Sequence, residues 1–186
     1  MTGSAQLVLG QSQARSLLKL KNIGINAMWL EFGGARATAT LTSGVVTGIS
    51  LTNVGFNYTK PPLVRFLGGG YAGNSSFLGL GQPNAAAPNS MNGLTGRPAV
   101  VVAALTGGAV SSSFTIEDGG AGYATAPYVQ LINSDLDPNG CAVPSAGVGW
   151  LLSPGEALSF EATACTTDAI SVIGTSGDVL TCRYMD

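Results

Sequence analysis

The residues able to do acid–base or covalent chemistry are few, and their spacing builds no recognised catalytic constellation. Histidine is absent. That removes the commonest general base and the commonest metal ligand, and it excludes Ser-His-Asp and Cys-His mechanisms. Paired carboxylates would be the route left to a glycosidase. The candidates are Glu117-Asp118 at a turn, Asp135 and Asp137 flanking a loop, and Glu156 and Glu161 bracketing a short strand. Solvated turn residues are the simpler account of each. DLDPNG at 135–140 offers oxygen ligands for calcium, but it lacks the Glu that completes an EF-hand loop, and an Asp-Pro turn explains it. The Gly-rich stretches LGGGYAG and LTGG lack the Gly-Lys-Ser/Thr ending and the following helix of a phosphate loop. Cys141, Cys165 and Cys182 are odd in number and have no CxxC spacing, so they read as reduced, buried small hydrophobes rather than a disulfide framework or zinc site. No catalytic residue, metal or cofactor is expected, and the chain reads as a non-enzyme.

Aromatic residues offer a different chemistry, because Tyr58, Tyr123 and Tyr128 with Phe66 could line a sugar-binding surface. A corner tyrosine between glycines is more simply a packing element, its ring covering the turn while its hydroxyl reaches a backbone group. Carbohydrate therefore stands as a partner without a motif to support it.

Composition points toward protein partners. Only 10% of the 186 residues are charged and 45% are apolar, against roughly 25% charged in an average soluble domain. Gly, Ser, Thr and Asn must cover much of the surface, and such a surface loses little when it is desolvated against another subunit. The net charge of −2 without a Lys/Arg cluster argues against nucleic acid. Seven of the eight basic residues precede Glu117, while nine of the ten acidic ones lie from Glu117 onward. This asymmetry is expected to cancel in space if the chain ends share a domain. No run approaches the roughly 18 apolar residues of a membrane helix, and MTGSAQLVLGQSQ lacks a basic region followed by an apolar core. A soluble, unprocessed chain is expected.

Strand signals run the length of the sequence, and no segment carries a capped 3.6-residue apolar period. RSLLKLKNI at 15–23 and INAMWLEF at 25–32, separated by Gly24, predict a hairpin. A Pro154-Gly155 turn divides Trp150–Leu152 from Ala157–Phe160, and DAISVIGTSGDVLTCRYM gives two strands about a Gly174–Gly177 turn. Trp29 and Trp150 are expected to pack in one shared core.

The middle of the chain holds an internal repeat. ISLTNVGFNYTKPPLVRF at 49–66 aligns with FTIEDGGAGYATAPYVQL at 114–131 at an offset of 65, matching Gly55 with Gly120, Tyr58 with Tyr123, Pro62 with Pro127 and Val64 with Val129. Each copy follows a strand and turn of similar character, ATATLTSGVV and VVVAALTGGAV. The repeats span 37–66 and 100–131. The loop 67–99 between them is rich in Gly, Pro, Asn and Ala, and its apolar Phe77, Leu78 and Leu80 are candidate partner contacts.

The repeat, a Gly-turn strand followed by G-x-G-Y-x-x-x-P and a closing strand, resembles a module of tailed-bacteriophage virion proteins. The second copy carries it as GGAGYATAP, with Gly120, Gly122, Tyr123 and Pro127. The first departs from it at Phe56-Asn57, where asparagine still tolerates positive φ. The flanks LLKLKNIGINAMWLEFG, WLLSPGEALSFEA and DAISVIGTSGDVLTCRY resemble a small β-domain of phage head and fibre-attachment proteins, here split by roughly a hundred residues. The resemblance implies an all-β protein. Residues 1–35 and 137–186 would form a discontinuous small β-sandwich or jelly-roll-like domain, interrupted by an inserted β-domain at 36–136. It further implies a homotrimeric capsid decoration or cement protein, made in the host cytoplasm and placed on the virion's capsid exterior. Its partner would be the major capsid protein or another virion protein, with no nucleic acid or membrane partner. A tail or head-fibre protein that binds a receptor or carbohydrate is the alternative, and the lack of a collagen-like or coiled-coil shaft favours decoration.

Overall fold

The computed structural model describes residues 3–12, 15–69, 97–133, 137–161 and 166–185. The protein is all-β, without a helix among the described residues. It divides into two compact units. Unit 1 comprises Met1–Gly34, Gly55–Thr59 and Asp135–Asp186, and unit 2 comprises Ala35–Val54 and Lys60–Ser134. Gly55–Thr59, which the sequence assigned to the insert, groups with unit 1. Grouping the chain ends reduces the charge asymmetry without abolishing it: unit 1 holds four basic and eight acidic residues, unit 2 four basic and two acidic.

Unit 1 contains β1 (Gln6–Leu9), β2 (Leu17–Asn22), β3 (Met28–Phe32), β12 (Trp150–Leu152), β13 (Ala157–Glu161), β14 (Ile170–Ile173) and β15 (Leu180–Met185). They form a four-stranded sheet in the order β1-β14-β3-β12 and a three-stranded sheet in the order β13-β2-β15. Leu18 and Leu20 of β2 share one core with Met28, Leu30, Leu152, Ile170 and Val172 of the other sheet. β2 and β3 do not pair with each other, which corrects the predicted hairpin; β2 pairs with β13 and β15, and β3 with β12 and β14. The physical reason is the amphipathicity of both strands. A hairpin would put their apolar faces side by side on one open sheet, whereas crossing to the second sheet buries each against the other. The chain makes the same crossing between β12 and β13 at Pro154-Gly155, and between β14 and β15 at the turn around Gly177.

Buried polar side chains fasten these crossings. The Asn22 amide donates to the carbonyls of Asn26 and Leu152 and accepts from the Gly24 amide. The Asp178 carboxylate accepts from the backbone amides of Ile25 and Asn26. A Cβ on Gly24 would lie 2.5 Å from that carboxylate, so a larger residue there would displace Asp178 from these bonds. The shared tryptophan core is also corrected. Trp29 lies opposite Leu151 and Trp150 opposite Leu30. Opposed residues share a face and neighbours alternate, so the two rings point to opposite faces. β12 is an edge strand, and Trp150 is left 50% exposed.

Unit 2 contains β4 (Arg36–Thr42), β5 (Val45–Asn53), β6 (Leu63–Leu67), β7 (Val100–Val102), β8 (Leu105–Thr106), β9 (Ala109–Val110), β10 (Thr115–Asp118) and β11 (Tyr128–Ile132). Its main sheet runs β10-β7-β6-β11-β4-β5, with β8-β9 as a separate ribbon. Exchanging the two repeats maps this order onto itself. The closing strands β6 and β11 pair at the centre, and each continues into the other repeat's hairpin. Arg65 pairs with Gln130, its own repeat equivalent, so a pseudo-twofold axis passes through that pair. The hairpin turns at Ser43-Gly44 and Gly107-Gly108 have positive φ throughout and lie 64 residues apart, one fewer than the corners. The second copy therefore carries one extra residue in its outgoing strand. That strand is accordingly broken into β9 and β10, where the first copy has the continuous β5.

Candidate interaction surface

The corner residues singled out in the sequence have structural work. In the second copy Gly120 and Gly122 have φ of 70° and 78°. A Cβ on Gly120 would lie 2.6 Å from the Arg97 carbonyl oxygen. Tyr123 is buried, and its hydroxyl accepts a 2.8 Å hydrogen bond from the Ala99 amide. In the first copy Gly55 has φ 65° and Asn57, equivalent to Gly122, has φ 61°. Tyr58 is buried with its ring over Gly140, and the neighbouring Thr59 amide donates to Asp137 at 2.7 Å. Pro62 and Pro127 are both buried immediately before the closing strands. The repeats also brace each other: Val46 donates to the Gly119 carbonyl and Val110 to the Val54 carbonyl, equivalent bonds in opposite copies.

The candidate carboxylates are dispersed over similar tasks. Asp118 pairs with Arg97 and caps the Gly120 amide. Glu156 accepts from the Ser153 amide, and Glu161 lies 3.4 Å from Lys19. Glu117 is exposed on β10. Among the described residues no three His, Cys, Asp or Glu side chains gather. Asp135, Cys165 and the proposed contacts Phe77, Leu78 and Leu80 lie outside the described residues. Burial pushes the Cys141 thiol up to about 12. Cys182, read from the sequence as buried, is exposed on β15, which has no neighbour on its outer side among the described residues. Of the four aromatics considered for sugar binding, Tyr58, Tyr123 and Phe66 are buried and Tyr128 is exposed.

Among the described residues, unit 2 exposes apolar side chains on one face of its six-stranded sheet. Strand alternation sends Ala37, Phe66, Val101, Val129 and Leu131 to the buried face. The opposite face carries two rows across the strands. One row is Thr115, Val102, Leu63 and Ile132; the other is Leu67, Tyr128, Thr38 and Ser50. The pseudo-twofold exchanges them, with Arg65 and Gln130 between. Leu63 is 66% exposed and Tyr128 65%, with Val100 and Val102 also open. An apolar face of this kind, centred on one cation, suits a protein surface that has apolar groups around a carboxylate. A second copy of the same face would set Arg65 against Arg65.

Sequence reasoning missed Leu63, Val100 and Val102. PAVVVAAL is apolar at consecutive positions and gives no period of two to reveal which residues face out. A usable signal lay in the repeat, because Leu63 and Tyr128 each follow the corner proline and both point to solvent. Comparisons with protein-family models, with curated proteins and with solved structures give no match.

Proposed function

We propose that this chain is a tailed-bacteriophage virion structural protein, a homotrimeric capsid decoration protein that binds and strengthens the capsid lattice from outside. The observation that carries this reading is the exposed face of the six-stranded sheet, where Leu63, Tyr128, Val100 and Val102 surround Arg65. Burying such a face against a capsomer removes apolar area from water, and a carboxylate of the partner opposite Arg65 fixes the register. The low charge of the chain and the virion-type repeat pattern support the same assignment. No covalent chemistry is required.

Mass spectrometry and imaging of intact particles give the copy number. Hundreds per virion fit a lattice protein; a handful would move it to a vertex or tail and overturn the decoration role. Co-sedimentation with particles lacking the protein tests the face. Leu63→Asp with Tyr128→Ala should weaken binding tenfold or more without changing the circular dichroism, and unchanged binding would remove this face from the contact.

A further inference from the structure

The three-stranded sheet of unit 1 has two open edges of opposite character. β15 is paired with β2 along its whole length, and its outer row of backbone donors and acceptors meets no partner among the described residues. The same holds for the outer row of β13. A free edge that is long and lightly charged is a template for another strand, and monomeric proteins normally shield it.

Beyond Leu180, which packs against the core, β15 is also open on both faces. Cys182 and Tyr184 lie opposite Leu20 and Leu18, on the core side of the sheet. Yet Leu18 and Leu20 are fully buried, whereas Tyr184 is 50% exposed and Cys182 is open. On the other side Met185 is 52% exposed. A strand with core-facing side chains in solvent has the character of an element covered from outside.

Charge selects the cover. Arg183 lies directly opposite Lys19, with Lys21 one row along. Like charges set opposite each other destabilise a sheet unless a carboxylate joins them. Glu161 serves Lys19, and among the described residues no carboxylate pairs with Arg183. The opposite edge of the same sheet carries Glu161, with Glu156 at its start. One edge is basic and the other acidic.

We infer that β15 of one copy pairs with β13 of the next, the Arg183 edge against the Glu161 edge, joining the three-stranded sheets into a closed ring. Both strands run antiparallel to β2, so they are parallel to each other and the new ladder is a parallel one. The contact uses a different patch on each copy, and such head-to-tail contacts end in a ring when their rotation closes. The inference rests on the trimeric assembly proposed above and names its interface; it does not depend on the capsid as partner.

The test uses the full chain. Light scattering after size-exclusion chromatography should give about three times 18.7 kDa for the wild type. Arg183→Glu or Glu161→Lys alone should shift the protein to monomer at micromolar concentration with unchanged circular dichroism, and the double exchange should restore the trimer. In a Cys182→Ser background, Ser159→Cys with Thr181→Cys should give covalent dimers and trimers on mild oxidation, because both side chains lie on the outer face. Neither cysteine alone should do so. A monomeric wild type would overturn both the trimer and the interface. A trimer that survives the charge reversals without crosslinking would leave the assembly standing and overturn this interface. Dimers from Thr181→Cys alone would show β15 pairing with itself and overturn it equally.

Discussion

Unit 1 and unit 2 are both built from short strands, but they are held by different forces. Unit 1 buries large side chains between two sheets, with Leu18, Leu20, Met28, Leu30, Leu152 and Ile170 fully enclosed. Unit 2 encloses mostly small or medium residues, such as Ala37, Ala99, Val101, Ala103 and Val129. Its order comes from register: paired closing strands, glycine corners and equivalent hydrogen bonds from each repeat to the other. Stability in the first unit should therefore track apolar volume, and in the second it should track backbone geometry. Both tryptophans belong to unit 1. Tryptophan fluorescence reads that unit selectively, while far-ultraviolet circular dichroism reads both.

The largest effect is expected from Leu20→Ala. Deleting a fully enclosed leucine from a core leaves a cavity and costs about 2–5 kcal/mol, so the tryptophan transition should move to lower temperature. If the whole circular dichroism transition moves with it by the same amount, the two units unfold together and the contrast fails. Gly120→Ala should act on unit 2 in the complementary way. It forces a side chain into a positive φ, a strain of roughly 1–3 kcal/mol, and drives its Cβ against the Arg97 carbonyl. The circular dichroism melt should fall while the tryptophan transition holds.

Tyr123→Phe sharpens the comparison more gently, because the ring still covers the corner while the buried Ala99 amide loses its acceptor. A loss of roughly 1–2 kcal/mol is expected, again invisible to tryptophan. An unchanged melt would show that the hydroxyl contributes nothing to the corner.

Asp178 gives unit 1 a pH dependence. Desolvation alone would raise its carboxyl, but hydrogen bonds from the Ile25 amide and from the Asn26 side chain and amide outweigh it and hold the group below its ordinary 3.8. A carboxyl lowered in the folded state adds stability above its unfolded value and loses it as pH falls through the folded one. The wild-type tryptophan melt should therefore exceed that of Asp178→Asn at neutral pH, and the difference should shrink under acid. A constant difference would assign the role of Asp178 to packing alone.

The smallest effect is one of labelling without loss of stability. Iodoacetamide at pH 8 should modify Cys182 in the native protein and reach Cys141 only after unfolding, because burial keeps that thiol protonated. Peptide mass mapping identifies the site, and native modification of Cys141 would mean that its backbone pairing with Phe56, two hydrogen bonds of 2.8 and 3.1 Å, opens readily.

Strand character was legible in the sequence because β-branched and apolar residues alternate between glycine and proline turns, and those are local properties. The absence of histidine settled which mechanisms are closed, since no fold can supply a missing imidazole. The repeat gave its corner positions by residue type alone: Gly55 and Gly120 at positive φ, and Pro62 and Pro127 before the closing strands. Pairing was a different matter. LLKLKN and MWLEF read as a hairpin because they are adjacent, yet they lie in different sheets, since two amphipathic strands bury more surface across a core than side by side. Likewise, nothing local tells that β6 pairs with the second repeat's hairpin and β11 with the first. That exchange sets which face of PAVVVAAL reaches solvent, and it was decided by contacts between residues 39 to 92 positions apart, Leu63 with Val102 and Val129 with Ala37. Exposure on β15 follows the same rule: a strand's sequence states what it could bury, and only its neighbours in the sheet decide what it leaves open.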